Sequence, residues 1–184
     1  GLESRGLGDV YKRQPQDGKQ IIGYREAMTL EKQPSSITIV GSGAIGIEFA
    51  YFFNSMGTDV TVIEYMPNIV PLEDIDVSKE LEKSFKKKGI KIMTSSEVIS
   101  VEKKKNKVLV KVKVNDKEEV IESEILLSAV GIKSNIENIG LEDVGIATDK
   151  DKILVDKFYN TNIPGYYAIG DVVAGPALAH VASA

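Results

Sequence analysis

One stretch of this sequence restricts its fold more than any other: a run of β-branched residues that opens directly into spaced glycines. Ser36–Val40 has the composition of a buried strand, and Gly41, Gly43 and Gly46 follow it and introduce an apolar helix. In such a turn the first glycine permits the tight bend, the second lets a ligand approach the backbone, and the third lets the helix lie close to the strand. The pattern indicates a parallel α/β unit that binds the pyrophosphate of a dinucleotide.

An acidic residue at the end of the next strand completes this pattern. Asp59–Ile63 is again β-branched, and Glu64 follows it, roughly 20 residues past the last glycine. A carboxylate there accepts hydrogen bonds from the adenosine ribose and repels a 2′-phosphate. Tyr65–Asn68 carries no charge, so this stretch offers no arginine to such a phosphate. We therefore predict a preference for NADH over NADPH, with Ala44 and Ile45 supplying backbone amides to the pyrophosphate.

The chain then alternates helix and strand as a doubly wound unit does. Further along, apolar residues recur at every second position instead of at helical spacing. A second helix, capped by Asp76 or Ser78, is expected to run to Lys88, and a third strand is expected at Ile90–Met93. Lys107–Val114 alternates valine with mostly lysine. This alternation predicts an antiparallel meander with one face in water, inserted into the α/β unit.

A second motif lies near the C-terminus. Tyr166–Ile169 is expected to form a strand after a Pro-Gly turn, and Gly170 and Asp171 follow it. Gly170 would let a ligand approach closely, and Asp171 can accept hydrogen bonds from the hydroxyls of a sugar alcohol.

Composition narrows the classes of function. The 184 residues carry a net charge of −4 and form no basic face, so nucleic acid is not expected as a partner. No apolar stretch approaches the roughly 18 residues of a membrane span, and no signal peptide is visible, so we expect no membrane contact and a cytoplasmic location. Because the chain has no cysteine, it can hold neither a disulfide nor a thiolate metal site, and no metal site is expected.

Together, these motifs resemble the pyridine-nucleotide flavoprotein disulfide reductases. The resemblance rests on the glycine loop, on Met66–Pro71, on Ala129–Gly131 followed by Asn135, and on Ala168–His180, and it extends from Pro15 onward. It is strongest toward the members that serve as the flavoprotein component of 2-oxoacid dehydrogenase complexes. Such enzymes are homodimers that pass electrons from dihydrolipoamide through a redox disulfide and FAD to NAD⁺.

The resemblance implies an α/β fold: a Rossmann-like dinucleotide-binding domain with an inserted antiparallel β-meander, followed by a partial return into an FAD-binding domain. Residues 1–14 are similar to a translated transposon adapter and are expected to be non-native. Residues 15–33 are expected to connect from the FAD domain, residues 34–133 to form the NAD-binding domain, and residues 134–184 to be the truncated C-terminal part of the FAD-binding domain.

The family's binding residues carry over by position. The residues expected to bind NAD are Gly41, Gly43, Ala44, Ile45, Gly46, Glu48, Glu64, Val98, Ala129 and Gly131. Those expected to bind FAD, in the full-length parent only, are Gly170, Asp171, Leu178, Ala179 and His180. In this scheme Glu48 faces the nicotinamide, Val98 lines the adenosine, and Asp171 binds the ribityl chain of the flavin.

His180 is the one histidine of the chain, but we do not expect it to be a general base. In the family that histidine lies in a C-terminal dimerisation domain, and the position of His180 packs beside the flavin. Without a cysteine pair or a second glycine fingerprint, the chain is expected to be an internal fragment, inactive alone and without a catalytic residue. Two alternatives stay open: another oxidoreductase of the superfamily, such as an NADH oxidase or a mercuric or other disulfide reductase, and a non-catalytic nucleotide-binding module.

Overall fold

The computed structural model describes residues 16–183, and the expected adapter segment at residues 1–14 lies outside them. The chain divides into two compact units, the first ending at Gly131 and the second beginning at Ile132. Each unit has its own hydrophobic core. Within the described residues, no helix combines the length and the apolar character needed to cross a membrane.

The first unit is built on a parallel sheet. Its elements in chain order are β1 (Ile21–Ile22), α1 (Tyr24–Ala27), β2 (Ser36–Val40), α2 (Ala44–Ser55), β3 (Asp59–Ile63), α3 (Ile75–Lys87), β4 (Lys91–Met93), β5 (Ser96–Lys104), β6 (Lys107–Val114), β7 (Lys117–Ser123) and β8 (Ile125–Ser128). The five-stranded sheet has the order β1-β8-β2-β3-β4, and every neighbouring pair is parallel. The mixed α/β fold with a parallel sheet is therefore confirmed.

Side chains on the two faces of this sheet enter two different cores, because successive residues of a strand point to opposite sides. On one face, Ile37 and Ile39 pack with Ala50 and Phe53 of α2 and with Phe85 of α3. On the other face, the sheet packs against β5, β6 and β7, which form a three-stranded antiparallel sheet in chain order. The sheet is thus covered on both sides, as its nearly continuous apolar strands require.

The start of α3 differs from the expectation. Asp74, not Asp76 or Ser78, occupies the N-cap, and its side chain accepts a hydrogen bond from the Asp76 amide at 2.8 Å. An aspartate suits this position because it satisfies one free amide and lies at the positive end of the helix dipole. Ser78 is buried inside the first turns, where its hydroxyl donates to the Ile69 carbonyl at 2.8 Å.

The segment expected only to connect, residues 15–33, also contributes a strand to the parallel sheet. Within them, Ile21 and Ile22 form the edge strand β1, pair with Leu126 and Leu127 of β8, and are buried. Asp17 holds the turn before this strand: one of its carboxylate oxygens accepts from the amides of Lys19, Gln20 and Ile21 at 2.9–3.0 Å. A strand of two residues is too short to produce a periodic signal, so the sequence did not indicate it.

Asp17 also links this turn to the antiparallel sheet. Its second carboxylate oxygen pairs with the Lys103 ammonium of β5 at 2.8 Å. Burial raises the pKa of the Asp17 carboxyl, but the hydrogen bonds from Lys103 and from the backbone amides outweigh that effect and hold its pKa well below the usual range. Asp17 therefore stabilises the fold in its ionised form.

We predict that Asp17→Asn lowers the melting temperature at neutral pH. A depressed pKa in the folded state contributes stability above the ordinary aspartate pKa of about 4, and this contribution is lost as the pH falls further. The difference between wild type and variant should therefore narrow below about pH 4, as followed by circular dichroism from pH 7 to pH 3. Asp116→Asn is the control, since its pair with Lys113 is exposed and screened by solvent. A constant difference at all pH values would contradict this role of Asp17.

The second unit is small and has little regular structure. Its elements are α4 (Leu141–Val144), β9 (Thr148–Asp149), β10 (Lys152–Ile153), a 3₁₀ turn (Gly170–Val172) and α5 (Ala179–Ala182). Its core consists of Ile136, Leu141, Ile153, Ala168 and Val173.

The strand expected at Tyr166–Ile169 is not formed. Tyr167 makes only an isolated antiparallel bridge with Asn160. Three of the four side chains from Tyr166 to Ile169 are exposed in the described structure, and Ala168 alone joins the core of the second unit, so the segment completes no sheet.

Candidate dinucleotide-binding site

The glycine loop between β2 and α2 is packed too tightly for side chains at two positions. Gly41 has φ +99°, and a Cβ there would lie 2.5 Å from the Ala129 carbonyl oxygen. A Cβ on Gly46 would lie 2.0 Å from the Gly41 carbonyl oxygen. The first turn of α2 therefore rests directly on the backbone of the loop and beside the end of β8.

Gly43 stands in contrast to these two glycines. A Cβ at Gly43 would meet no atom within 4 Å, and its φ of −67° is open to any residue. Gly43 is the N-cap of α2, and among the described residues no side chain caps this helix end. Amides at the start of a helix lack intrahelical partners, and the helix dipole is positive there. An uncapped helix end beside open space can hold a pyrophosphate.

Glu64 lies next to this loop and is almost fully buried, with 5% of its surface exposed. Its Oε2 accepts from the Ser42 amide at 2.9 Å and from the Ser42 hydroxyl at 2.5 Å, and its Oε1 accepts from the Met66 amide at 2.8 Å. The backbone of Glu64 is also fixed, because its amide donates to Met93 and its carbonyl accepts from Ser96. The carboxylate is thus held in a single orientation at the end of β3.

Ser42 was not among the residues expected at the site. The glycine fingerprint leaves its second position unspecified, so the pattern itself gives no reason to select Ser42. The only available signal was a polar residue between two glycines after an otherwise apolar strand.

Other residues expected to contact NAD surround the loop. Ala129 donates its amide to the Val40 carbonyl at 2.8 Å, which places it against the glycine turn. Gly131 is exposed and has φ +133°. Glu48 is exposed on α2 and lines a groove of about 450 Å³ together with Ile45 and the aromatic residue Tyr24.

Val98 does not line an open site with its side chain. It is fully buried in the core between the parallel sheet and the antiparallel sheet, and it pairs with Val112 of β6. Its apolar side chain is more stable in that core than in a cleft open to solvent. With 0% of the whole residue exposed, Val98 presents neither its side chain nor its backbone at an open site.

The residues expected to bind FAD belong to the second unit. Gly170 and His180 line a pocket of about 650 Å³, and His180 is exposed. Asp171 lies in the 3₁₀ turn and not at a strand end as expected, because no strand precedes it. Its side chain is exposed, while its carbonyl accepts from Ser134 and Lys152 at 2.7 Å. Leu178 is half exposed and is the N-cap of α5, which begins at Ala179.

The parallel sheet, the glycine turn, the uncapped helix and the buried acid form an arrangement typical of dinucleotide-binding α/β proteins. A family described as pyridine nucleotide-disulphide oxidoreductase matches residues 6–184. This chain belongs to that family, whose members use FAD and NAD.

Curated relatives carry a more specific name. The chain is 47% identical over 167 residues to a dihydrolipoyl dehydrogenase of Rhizobium etli, covering 90% of this chain and 35% of that protein. It is 39% identical over 184 residues to the dihydrolipoyl dehydrogenase of Zymomonas mobilis, covering 100% of this chain and 39% of that protein. The chain therefore spans little more than a third of the length of the relatives it matches.

Solved structures give the same fold. The crystal structure of LpdA from Mycobacterium tuberculosis superposes with a TM-score of 0.81 at 32% identity, covering 91% of this chain and 36% of that one. The HOCl-induced flavoprotein disulfide reductase RclA of Escherichia coli has a TM-score of 0.79 at 25% identity, covering 91% of this chain and 38% of that one.

We predict that the two glycines tolerate alanine very differently. Gly46→Ala should lower the melting temperature by many degrees, because its methyl group would lie 2.0 Å from a backbone oxygen that cannot move without opening the loop. Gly43→Ala should leave the melting temperature within a few degrees of wild type, since its methyl group meets open space. Thermal unfolding followed by circular dichroism measures both. Equal decreases in melting temperature in the two variants would show that the loop and the helix do not approach each other as closely as described.

Proposed function

We propose that this chain is the NAD-binding portion of a flavoprotein disulfide reductase, dihydrolipoyl dehydrogenase, which oxidises dihydrolipoamide with NAD⁺. The observation that carries the proposal is the uncapped N-terminus of α2 beside the buried carboxylate of Glu64. An anion site and a hydroxyl acceptor on adjacent strands match the pyrophosphate and the ribose of one dinucleotide. The 47% identity to a protein named dihydrolipoyl dehydrogenase supports the choice within the family.

In this proposal the backbone does most of the binding. The amides of Ala44, Ile45 and Gly46 hold the pyrophosphate at the helix end, and the open space at Gly43 admits it. Glu64 receives the adenosine ribose. Because none of these contacts needs a mobile side chain, the site is preorganised for the cofactor.

Ala129 and Gly131 would hold the nicotinamide end of the cofactor. Glu48 faces it from α2, at the rim of the groove that Ile45 lines. The apolar wall of this groove would exclude water from the ring, and bound NAD⁺ supplies the acceptor for a hydride.

In the second unit we propose that Gly170, Asp171 and the segment Leu178–His180 belong to an FAD site. The exposed Asp171 carboxylate offers acceptors for the hydroxyls of the ribityl chain, and the pocket lined by Gly170 and His180 has room for part of a flavin. FAD, when bound, passes electrons between a disulfide and the nicotinamide. This chain has no cysteine, so the redox disulfide belongs to a part of the parent enzyme outside this sequence.

The partners follow from the same assignment. We propose that the parent enzyme is a homodimer, works in the cytoplasm, and serves as a component of 2-oxoacid dehydrogenase complexes. Neither nucleic acid nor membrane is proposed as a partner, in keeping with the net charge of −4 and with the absence of an apolar span in the described residues.

A second candidate is another reductase of the same superfamily. The structural likeness to RclA, with a TM-score of 0.79, is nearly as high as the likeness to LpdA, so the fold does not separate the two. The 47% identity to a protein named dihydrolipoyl dehydrogenase, against 25% to RclA, favours dihydrolipoyl dehydrogenase. An oxidation assay of the complete enzyme with dihydrolipoamide separates these candidates.

We predict that the 184-residue chain binds NADH about 30- to 1,000-fold more tightly than NADPH. The 2′-phosphate of NADPH replaces a hydroxyl that can donate a hydrogen bond to Glu64, and its negative charge is repelled by the carboxylate. Fluorescence titration with both nucleotides measures the ratio. Glu64→Gln should reduce it at least tenfold, since the variant keeps the shape of the side chain but removes its charge. Alanine is less suitable, because it would leave the buried donors of Ser42 and Met66 without an acceptor.

Glu80→Gln is the matched control for that experiment. Glu80 is exposed on α3 and, among the described residues, pairs with Lys83, so the same chemical change removes an exposed charge that makes no contact with Glu64 or the glycine loop. Its nucleotide preference should equal that of wild type. If the wild-type chain binds both nucleotides equally, Glu64 is not the ribose acceptor.

We predict that the purified chain does not retain FAD through dialysis and does not oxidise dihydrolipoamide. Asp171 supplies one or two hydrogen bonds of about 1.5–3 kcal/mol each, too little to offset the entropy lost by a large cofactor. The measurement is the visible absorbance of flavin after dialysis, with free FAD dialysed in parallel. A yellow protein would show that the described residues hold a complete FAD site.

A further inference from the structure

We infer that Ser42 is a positioning residue whose hydroxyl fixes the carboxylate of Glu64 and thereby sets the preference for NADH over NADPH. The inference rests on the proposed function, because it concerns how the same ribose site is held. It assigns a role to a residue of the glycine loop that is itself fully buried.

Every polar group of Ser42 is already engaged inside the protein. Its amide and its hydroxyl both donate to Glu64 Oε2, at 2.9 and 2.5 Å, and its carbonyl accepts from the Val70 amide at 3.0 Å. Ser42 is 0% exposed. It can therefore affect a ligand only through the groups that it holds.

The hydrogen bonds to Glu64 leave little freedom to its carboxylate. Two carboxylate oxygens offer about four acceptor positions, and three are filled: two on Oε2 by Ser42, and one on Oε1 by the amide of Met66. The remaining position lies on Oε1. One ribose hydroxyl can occupy it without displacing any donor, and a 2′-phosphate meets the fixed negative charge at that point.

The hydroxyl of Ser42 is the one removable contact in this arrangement. The other two donors are backbone amides, which no substitution of a side chain deletes. Without the hydroxyl, each carboxylate oxygen of Glu64 keeps a single backbone donor, so the side chain is held less firmly. A carboxylate that is held less firmly binds a ribose hydroxyl more weakly, because the side chain must first be ordered, and it can move away from a 2′-phosphate.

The experiment is a double-mutant cycle in the 184-residue chain with Ser42→Ala, Glu64→Gln and the combined variant. NADH and NADPH affinities are measured by fluorescence titration, and melting temperatures by circular dichroism. Ser42→Ala should weaken NADH binding about tenfold, leave NADPH binding unchanged or slightly tighter, and so reduce the ratio of the two affinities about tenfold. In the Glu64→Gln background, Ser42→Ala should not change the ratio further.

Ser78→Ala is the control for a purely structural effect. Ser78 is a second fully buried serine of the described chain, and its hydroxyl donates to the Ile69 carbonyl at 2.8 Å. Its loss should lower the melting temperature about as much as the loss of the Ser42 hydroxyl, with no change in the ratio of NADH to NADPH affinity.

The possible outcomes separate the two claims. If Glu64→Gln reduces the ratio and Ser42→Ala does not, Ser42 has no positioning role although the proposed function stands. If Ser42→Ala reduces the ratio equally in the wild-type chain and in the Glu64→Gln variant, Ser42 does not act through the carboxylate and the inference is wrong. If the wild-type chain binds neither nucleotide, the proposed function and the role of Ser42 both fall.

Discussion

The close approach of α2 to the end of β2 is the constraint on which the rest of the first unit depends. The backbones of Gly41 and Gly46 touch, and a Cβ on either would overlap a carbonyl oxygen. This contact directs the free amides of the helix toward the open space at Gly43 and brings the end of β8 against the turn. The anion site is thus produced by backbone packing, with no cationic side chain in the loop.

A second interaction joins the two halves of the site into one hydrogen-bonded body. Glu64 is held by the amide and hydroxyl of Ser42, so the acid at the end of β3 is attached to the loop that would bind phosphate. Burying a carboxylate is costly unless donors surround it, and here three donors do so. The Glu64 carboxylate and the glycine loop therefore keep a fixed distance from each other.

The sequence predicted features that depend on local pattern and failed where distant contacts decide. The strand before the glycines and the position of Glu64 follow from residue type and spacing. The bond from Ser42 to Glu64 depends on tertiary packing, which spacing alone cannot show. Ile21–Ile22 is too short for a periodic signal, and Tyr166–Ile169 is apolar but finds no partner strand. The cap at Asp74 was predicted two or four residues too late, at Asp76 or Ser78, because aspartate and serine are equally good caps by residue type.

The strand order has a consequence for how the first unit assembles during synthesis. The strand β8 lies between β1 and β2, yet it leaves the ribosome roughly 100 residues after β1. Until it emerges, β1 has no neighbour and one edge of β2 exposes unpaired backbone groups beside Ile37 and Ile39. The β5–β6 hairpin, whose contacts are local, can form before β8 emerges. The nascent chain thus passes through a stage with an open apolar edge, which Ile125–Ser128 closes last.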